Sequence, residues 1–443
     1  MEIKLYNSLT RQIEVFTPIK KDELSIYVCG PTVYNDPHIG NMRPVVFFDT
    51  LCRFFTFIGY NVKFVSNYTD VDDKIIAKAI NEHTTEKVIT DHYIKVFQDC
   101  LEALNVRKAY QNPRVTEYMP QIISYIDGLV EKKAAYVVDG EVFFDVKSDD
   151  DYGCLSNTNI DELISGARIE TNSKKKSPLD FLLWKKTDDG IKWQTKWCEG
   201  RPGRHTECCV MIDSIFNGVI DIHGGGMDLK FPHHENEIAQ AMAMHHNHIA
   251  HYWMHNAMMN IDGNKMSKSL GNVIKASDAI DEYGGDLVRL ILINAPYRSI
   301  INFTDKTVQD NKSILQKLDN CYRQLNLQIA INNGDLHGKS HLINDFLEAL
   351  ASDINVSNAV TYMLEVIKNA NMELRKSEID LNALESYFYA LTDMVSILGL
   401  SFKLKRFNNE EISLYNEYTK AKKDKNFARS DELRNELIAK KIM

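Results

Sequence analysis

Cysteine, histidine and carboxylate side chains recur here at spacings that suit a metal ion. Cys29 closes an apolar run, Cys208 lies in Gly203-Arg204-His205-Thr206-Glu207-Cys208-Cys209, and Phe231-Pro232-His233-His234-Glu235-Asn236-Glu237 follows after one helix-length. Pro232 suits a first helical turn, so a helix is predicted onward through Ile238 and Ala239. His233 and Glu237 are then four apart and share a face, whereas His234 points roughly 100° away. With Cys29 and Cys208 they supply paired thiolates, an imidazole and a carboxylate, a set suited to tetrahedral Zn2+. Spacing alone leaves a structural zinc, or no metal, open, because no Cys-x-x-Cys is present.

Two other segments could handle phosphate. Cys29-Gly30-Pro31-Thr32-Val33-Tyr34-Asn35-Asp36-Pro37-His38-Ile39-Gly40-Asn41 joins a strand-like run to a helical one. There His38 could hydrogen-bond a phosphate, and Gly40 lets one approach the backbone amides. Gly263-Asn264-Lys265-Met266-Ser267-Lys268-Ser269-Leu270-Gly271-Asn272 carries Lys265 and Lys268 between serines and glycines. Such a cationic loop could neutralise charge developing on a leaving pyrophosphate. Taken singly, each also reads as an ordinary cap or a solvated turn.

These residues need a scaffold. Residues 25–29 read as a β-strand, 39–58 as a helix closed by Gly59, and 62–65 as a second strand. That βαβ unit demands a parallel sheet. Val219-Ile220-Asp221-Ile222, running into His223-Gly224-Gly225-Gly226, reads as a later buried strand of the same sheet. Residues 120–200 differ in character and hold three of the four tryptophans, Trp184, Trp193 and Trp197, so they read as an inserted subdomain. From 307 onward the apolar stripes Leu342, Ile343, Phe346, Leu347, Leu350 and Val356, Ala359, Val360, Met363 repeat at helical spacing.

Composition narrows the class. The chain has 443 residues, 44% hydrophobic and 26% charged, an ordinary globular mix that excludes disordered and fibrous classes. No apolar run is long enough for a membrane span, and the charged N-terminus lacks a signal-peptide core, so a cytoplasmic location is expected. Eight cysteines are too few for a disulfide scaffold. The net charge of −9 argues against indiscriminate nucleic-acid binding, yet residues 401–443 hold 11 Lys/Arg against 7 Asp/Glu. A basic tail on an acidic body fits contact with a polyanion at one end.

Together, His38-Ile39-Gly40-Asn41 and Lys265-Met266-Ser267-Lys268-Ser269 resemble the paired signature of the class I aminoacyl-tRNA synthetases. The second motif matches throughout, while Asn41 stands where the strict first motif ends in histidine. Cys29 to Tyr34, Tyr68 to Ile75, Asp221 to Gly226, Phe231 to Gln240 and Trp253 to Asn256 are similar to the cysteinyl branch, in order over residues 1–400. Arg204 departs from that branch, which usually carries tryptophan there. The resemblance implies an α/β fold: a Rossmann-like doubly wound parallel sheet with an inserted subdomain, followed by an α-helical bundle. It divides the chain into catalytic halves at 1–119 and 201–250, an insertion at 120–200, and a stem-contact region with the lysine loop at 251–306. A helical bundle at 307–400 and an anticodon-side segment at 401–443 complete the expected organisation.

The implied reaction is ATP-dependent activation of cysteine and its transfer to the 3′-terminal ribose of tRNA(Cys). L-cysteine, ATP and tRNA(Cys) are the implied partners, with no membrane and a monomeric chain. The implied cofactor is one Zn2+ on Cys29, Cys208, His233 and Glu237, with Mg2+ arriving on ATP. His38, Gly40, Lys265 and Lys268 fall at catalytic positions, and His38, Gly40, Asp228 and Lys268 at ATP-binding ones. Thr69, His205 and His223 fall at substrate-binding positions. A hydrophobic pocket separates cysteine from serine poorly, whereas a soft metal site takes thiolate in preference to hydroxyl. The alternative is the related cysteine ligase of mycothiol biosynthesis, which uses the same adenylation chemistry.

Overall fold

The computed structural model describes residues 1–157, 173–266, 271–402, 405–440 and 442. The chain folds as two compact units. The larger comprises Glu2–Gly284 and Tyr297–Asn302. It opens with an antiparallel hairpin of β1 (Lys4–Asn7) and β2 (Gln12–Val15). Strand β3 (Glu23–Val28), helix α1 (Ile39–Phe57) and strand β4 (Asn61–Ser66) then form a βαβ unit with β3 and β4 parallel. Helices α2 (Asp73–Asn81), α3 (Glu86–Ala103) and α4 (Met119–Glu131) follow.

Between β4 and the return to the parallel sheet lies a second, antiparallel sheet. It contains β5 (Ala135–Val138), β6 (Glu141–Phe144), β7 (Phe181–Lys186), β8 (Trp193–Gln194) and β9 (Glu199–Pro202), in the order β5-β6-β7-β9-β8. The chain returns through α5 (Thr206–Phe216), β10 (Ile220–Gly226), α6 (Glu235–His245) and β11 (Ala250–Asn256). The parallel order is β11-β10-β3-β4.

Burial explains why the central strands lack simple alternation. Leu24, Ile26, Tyr27 and Val28 are all buried, as expected of a parallel strand covered on both faces. Helix α1 lays Phe47, Phe48, Leu51, Phe54 and Phe55 into the core. It crosses β10 so closely that a Cβ on Gly224 would stand 2.0 Å from the Phe48 ring, so only glycine fits. Asp221, buried in β10, accepts from the Ile19 amide at 2.6 Å and from the Ser25 amide at 2.7 Å, pinning the start of β3. Strands β4 and β10 flank β3 on opposite sides. The crevice for a ligand therefore opens at the carboxyl ends of β3 and β10, where strand order reverses.

The smaller unit comprises Gly285–Pro296 and Phe303–Met443, with Met1. Its main helices span Asp305–Ile331, Val356–Glu373 and Leu381–Leu398, around a core that includes Leu318, Phe346, Met363, Leu384 and Phe388. A terminal helical hairpin, Asn409–Lys423 and Phe427–Ala439, packs Tyr418, Ala421, Leu433 and Leu437 onto Leu327 of this unit. The tail is thus a folded element as well as a basic one. Among the described residues no helix is long and apolar enough to cross a membrane.

Candidate active site and metal centre

Cys29 leaves the end of β3, and Gly30 beside it is forced by proximity: a Cβ there would stand 1.6 Å from the Asn67 carbonyl oxygen. The Gly30 amide donates to Asn67 Oδ1 at 2.9 Å, which fixes the turn that carries Cys29. Cys208 projects from the first turn of α5, and Glu237 from the first turn of α6. His233 lies in the tight turn Lys230–His234 just before α6. The regular helix therefore begins later than Pro232 suggests. Phe231 is extended, with φ −136° and ψ 134°, and the Phe231–Pro232 bond is cis. The i,i+4 contact survives: His233 Nε2 lies 2.9 Å from Glu237 Oε1.

Cys29, Cys208, His233 and Glu237 converge, with their donor atoms all within 4.8 Å of one another. Cys29 Sγ lies 3.4 Å from Cys208 Sγ and 3.6 Å from Glu237 Oε1, and Cys208 Sγ lies 3.8 Å from His233 Nε2. Tetrahedral zinc at ordinary bond lengths puts its ligand atoms about 3.3–3.8 Å apart, so these residues fit the ion with little movement. A second grouping, Cys29, His223, His234 and Glu237, also satisfies the distances. It fits less well, because His223 Nε2 is committed at 2.6 Å to Glu237 Oε2 and the grouping has one thiol only. Cys209 stays outside: its sulfur faces the carbonyl oxygens of His205 and Glu237 at 3.6 and 3.5 Å.

The electrostatics suit a cation. The hydrogen bond from Cys29, assisted by His233, brings the Cys208 thiol down to about 6, while burial holds Cys29 well above the usual thiol range. Burial alone would lower His233, but Glu237 and Cys208 hold it well above its ordinary value. Burial would raise Glu237, yet His223 and His233 keep it well below. The cluster thus favours positive charge among its donors, and metal binding there would be linked to proton release.

The surrounding residues orient these donors. His223 stacks on Trp253, with ring centroids 4.6 Å apart, and holds Glu237 from behind. His234 Nδ1 lies 2.9 Å from His255 Nε2, and His255 Nδ1 lies 2.9 Å from Ser8 Oγ. His205 Nδ1 lies 2.9 Å from His233 Nδ1, and burial, then His233, lowers His205 to about 3. Thr69 is tied to the buried Glu207 at 3.3 Å. Sequence reasoning assigns no role to Glu207, His255 and Asn67. Only the adjacency of Glu207 to Cys208 could signal any of them.

The phosphate-handling segments meet at the start of α1. A Cβ on Gly40 would lie 3.1 Å from His38 Nδ1 and 3.5 Å from the Met266 methyl. The Ile39 amide donates to Ile274 O at 3.0 Å and the Ala276 amide to Pro37 O at 2.8 Å, so the chain leaving the lysine loop is tied to the start of α1. Lys265 is exposed on a short strand, whereas Lys268 lies outside the described residues. Asn41 returns its Oδ1 to the His38 amide at 3.0 Å and so closes the helix start. Asp228 is exposed after β10, with its Oδ1 folded over Gly226.

The profile described as tRNA synthetases class I (C) catalytic domain matches residues 15–313, and the DALR domain profile matches 345–403. The cysteine–tRNA ligase of Oceanobacillus iheyensis is 41% identical, over 100% of this chain and 97% of its own length. That of Brevibacillus brevis is also 41% identical, with the same coverage. The chain belongs to the cysteine–tRNA ligase family. Its fold is shared more widely. Methionyl-tRNA synthetase of Mycobacterium tuberculosis, solved with methionyl-adenylate, superposes with TM-score 0.62 at 14% identity, covering 85% of this chain and 89% of that one. The LeuRS of Agrobacterium radiobacter K84, in a ternary complex with tRNA, gives TM-score 0.65 at 12% identity, over 88% and 86%. Within the cysteine–tRNA ligase family, the crevice at β3 and β10 is where the soft donors of this chain gather.

Proposed function

We infer that this chain joins cysteine to ATP as cysteinyl-adenylate and passes the cysteinyl group to the 3′-terminal ribose of tRNA(Cys). The observation that carries this reading is the convergence of Cys29, Cys208, His233 and Glu237 at the sheet crevice of a cysteine–tRNA ligase family member. One Zn2+ held by these four residues would supply a soft partner that prefers a thiolate to a hydroxyl. His223 fixes the carboxylate of Glu237, and His205 and Thr69 wall the amino-acid side. His38, the amides of the α1 start beginning at Gly40, Lys265 and Lys268 receive the triphosphate, with Asp228 on the ribose side.

The cysteine carboxylate attacks the α-phosphate of ATP in line, and pyrophosphate leaves. The terminal ribose hydroxyl then attacks the activated carbonyl, and AMP leaves. No enzyme-bound covalent intermediate is needed, so the chain contributes positioning and charge stabilisation. The hairpin Asn409–Lys423 and Phe427–Ala439 carries Lys420, Lys422, Lys423 and Lys425 toward its turn, a cationic face for tRNA. The chain acts as a monomer in the cytoplasm. Charging assays with a tRNA(Cys) transcript, and with an amino-sugar acceptor in parallel, test the reading. Cysteine transfer to the tRNA alone is expected; transfer to the sugar alone would overturn it.

A further inference from the structure

A cavity of about 410 Å3 lies between the inserted sheet and the start of α2, and it ends on His205. Its walls are strongly charged. Asp73 holds Lys185 at 2.9 Å and pairs with Arg201, whose side chain is only 5% exposed. Arg204 differs. Its Nε and Nη2 both lie 2.6 Å from a single oxygen of Asp72, Oδ2. The other oxygen of Asp72 accepts from the Lys74 amide at 2.9 Å and caps α2. The Asp72 side chain is 3% exposed and cannot swing away, whereas that of Arg204 is 50% exposed. A guanidinium has five N–H donors, and the pairing with Asp72 leaves the Nη1 edge uncommitted among the described residues. Asp72 therefore clamps one edge of Arg204 and leaves a second, pre-oriented edge on the cavity wall.

What that edge should bind follows from its neighbour. His205 follows Arg204 directly and lies 2.9 Å from His233, one of the four converging donors. An amino acid whose sulfur sits at those donors carries its carboxylate only two carbons away, and the cavity beside His205 is lined by Lys74, Lys185, Arg201 and Arg204. Guanidinium forks match carboxylate oxygens in shape as well as charge.

We propose that Arg204, held by Asp72, is a substrate-binding residue whose free N–H edge receives the carboxylate of the bound amino acid. This rests on the activation of cysteine argued above and adds a recognition element for the end of the substrate opposite the sulfur. Binding of cysteine and of cysteamine, which has the same thiol and amine but no carboxylate, is measured by calorimetry on the zinc-loaded protein under reducing conditions. Removing a charge-assisted hydrogen bond should weaken cysteine binding by Arg204→Gln about tenfold to a hundredfold, with cysteamine binding unchanged. Arg204→Lys, which keeps the charge but loses the fork, should recover part of the affinity for cysteine only. Equal weakening of both thiols, or no weakening of either, would overturn the proposal and leave cysteine activation standing. Failure of the unaltered protein to bind either thiol would overturn both.

Discussion

Glu237→Gln removes a charge from the centre of the donor cluster while keeping the shape of the side chain. Glu237 is fully buried, with Oε1 2.9 Å from His233 Nε2 and Oε2 2.6 Å from His223 Nε2. Charge-assisted hydrogen bonds contribute about 1.5–3 kcal/mol each and neutral ones about 0.5–1.5. Exchanging the one kind for the other at both oxygens should cost the metal-free protein roughly 2–3 kcal/mol, read as a lower urea midpoint. Zinc affinity, measured by competition with a chromophoric chelator, should fall further than the roughly 10–100-fold expected for losing an outer partner of a ligand. Glu235→Gln is the matched control. Glu235 is as deeply buried, but it accepts from the amides of Gly153, Leu155 and Ser156 at 3.1, 3.1 and 2.7 Å and takes no part in the cluster. It should lower stability by about 1–3 kcal/mol and leave zinc affinity intact. Equal zinc affinity in the two variants would refute the assignment of Glu237 as a ligand.

Gly30→Ala should cost about 3 kcal/mol or more and weaken zinc binding as well, because the new Cβ collides with the Asn67 carbonyl and moves Cys29; urea unfolding and chelator competition read both effects. Burial, then Lys230, lowers His255 from 6.5 to about 3, so the unfolded chain takes up this proton first as pH falls. Stability from this group is full above 6.5 and is lost on acidification, by roughly 2 kcal/mol between pH 7 and pH 5. His255→Gln should flatten the pH dependence of the urea midpoint by that amount. Reversing the charges of Lys420, Lys422, Lys423 and Lys425 to glutamate should raise the KM for tRNA and reduce its salt dependence by about one unit for each phosphate no longer engaged, while pyrophosphate exchange keeps its rate.

The parts legible in the sequence share one property: their signals are local. The βαβ unit follows from apolar runs broken at Gly30-Pro31 and Gly59, and His233 and Glu237 pair through spacing that survives even a late helix start. Cys29 and Cys208 are candidates by residue type, and the family resemblance singles them out as ligands. What escapes depends on chain crossings far apart in sequence. Arg204 meets Asp72 across 132 positions, and His255 meets Ser8 across 247. Helix geometry sets His234 aside, yet the extended Phe231 turns it back so that its Nε2 lies 3.4 Å from Cys29. No periodicity encodes those meetings; the sheet order creates them.

Amino-acid-dependent ATP–pyrophosphate exchange, run with cysteine and with serine on zinc-loaded and zinc-stripped protein, tests the central claim most directly. Exchange with cysteine, little with serine, and loss of the cysteine reaction with the zinc are the expected results. Equal exchange with both amino acids, or cysteine exchange that survives removal of the metal, would contradict selection of the thiolate at Cys29, Cys208, His233 and Glu237.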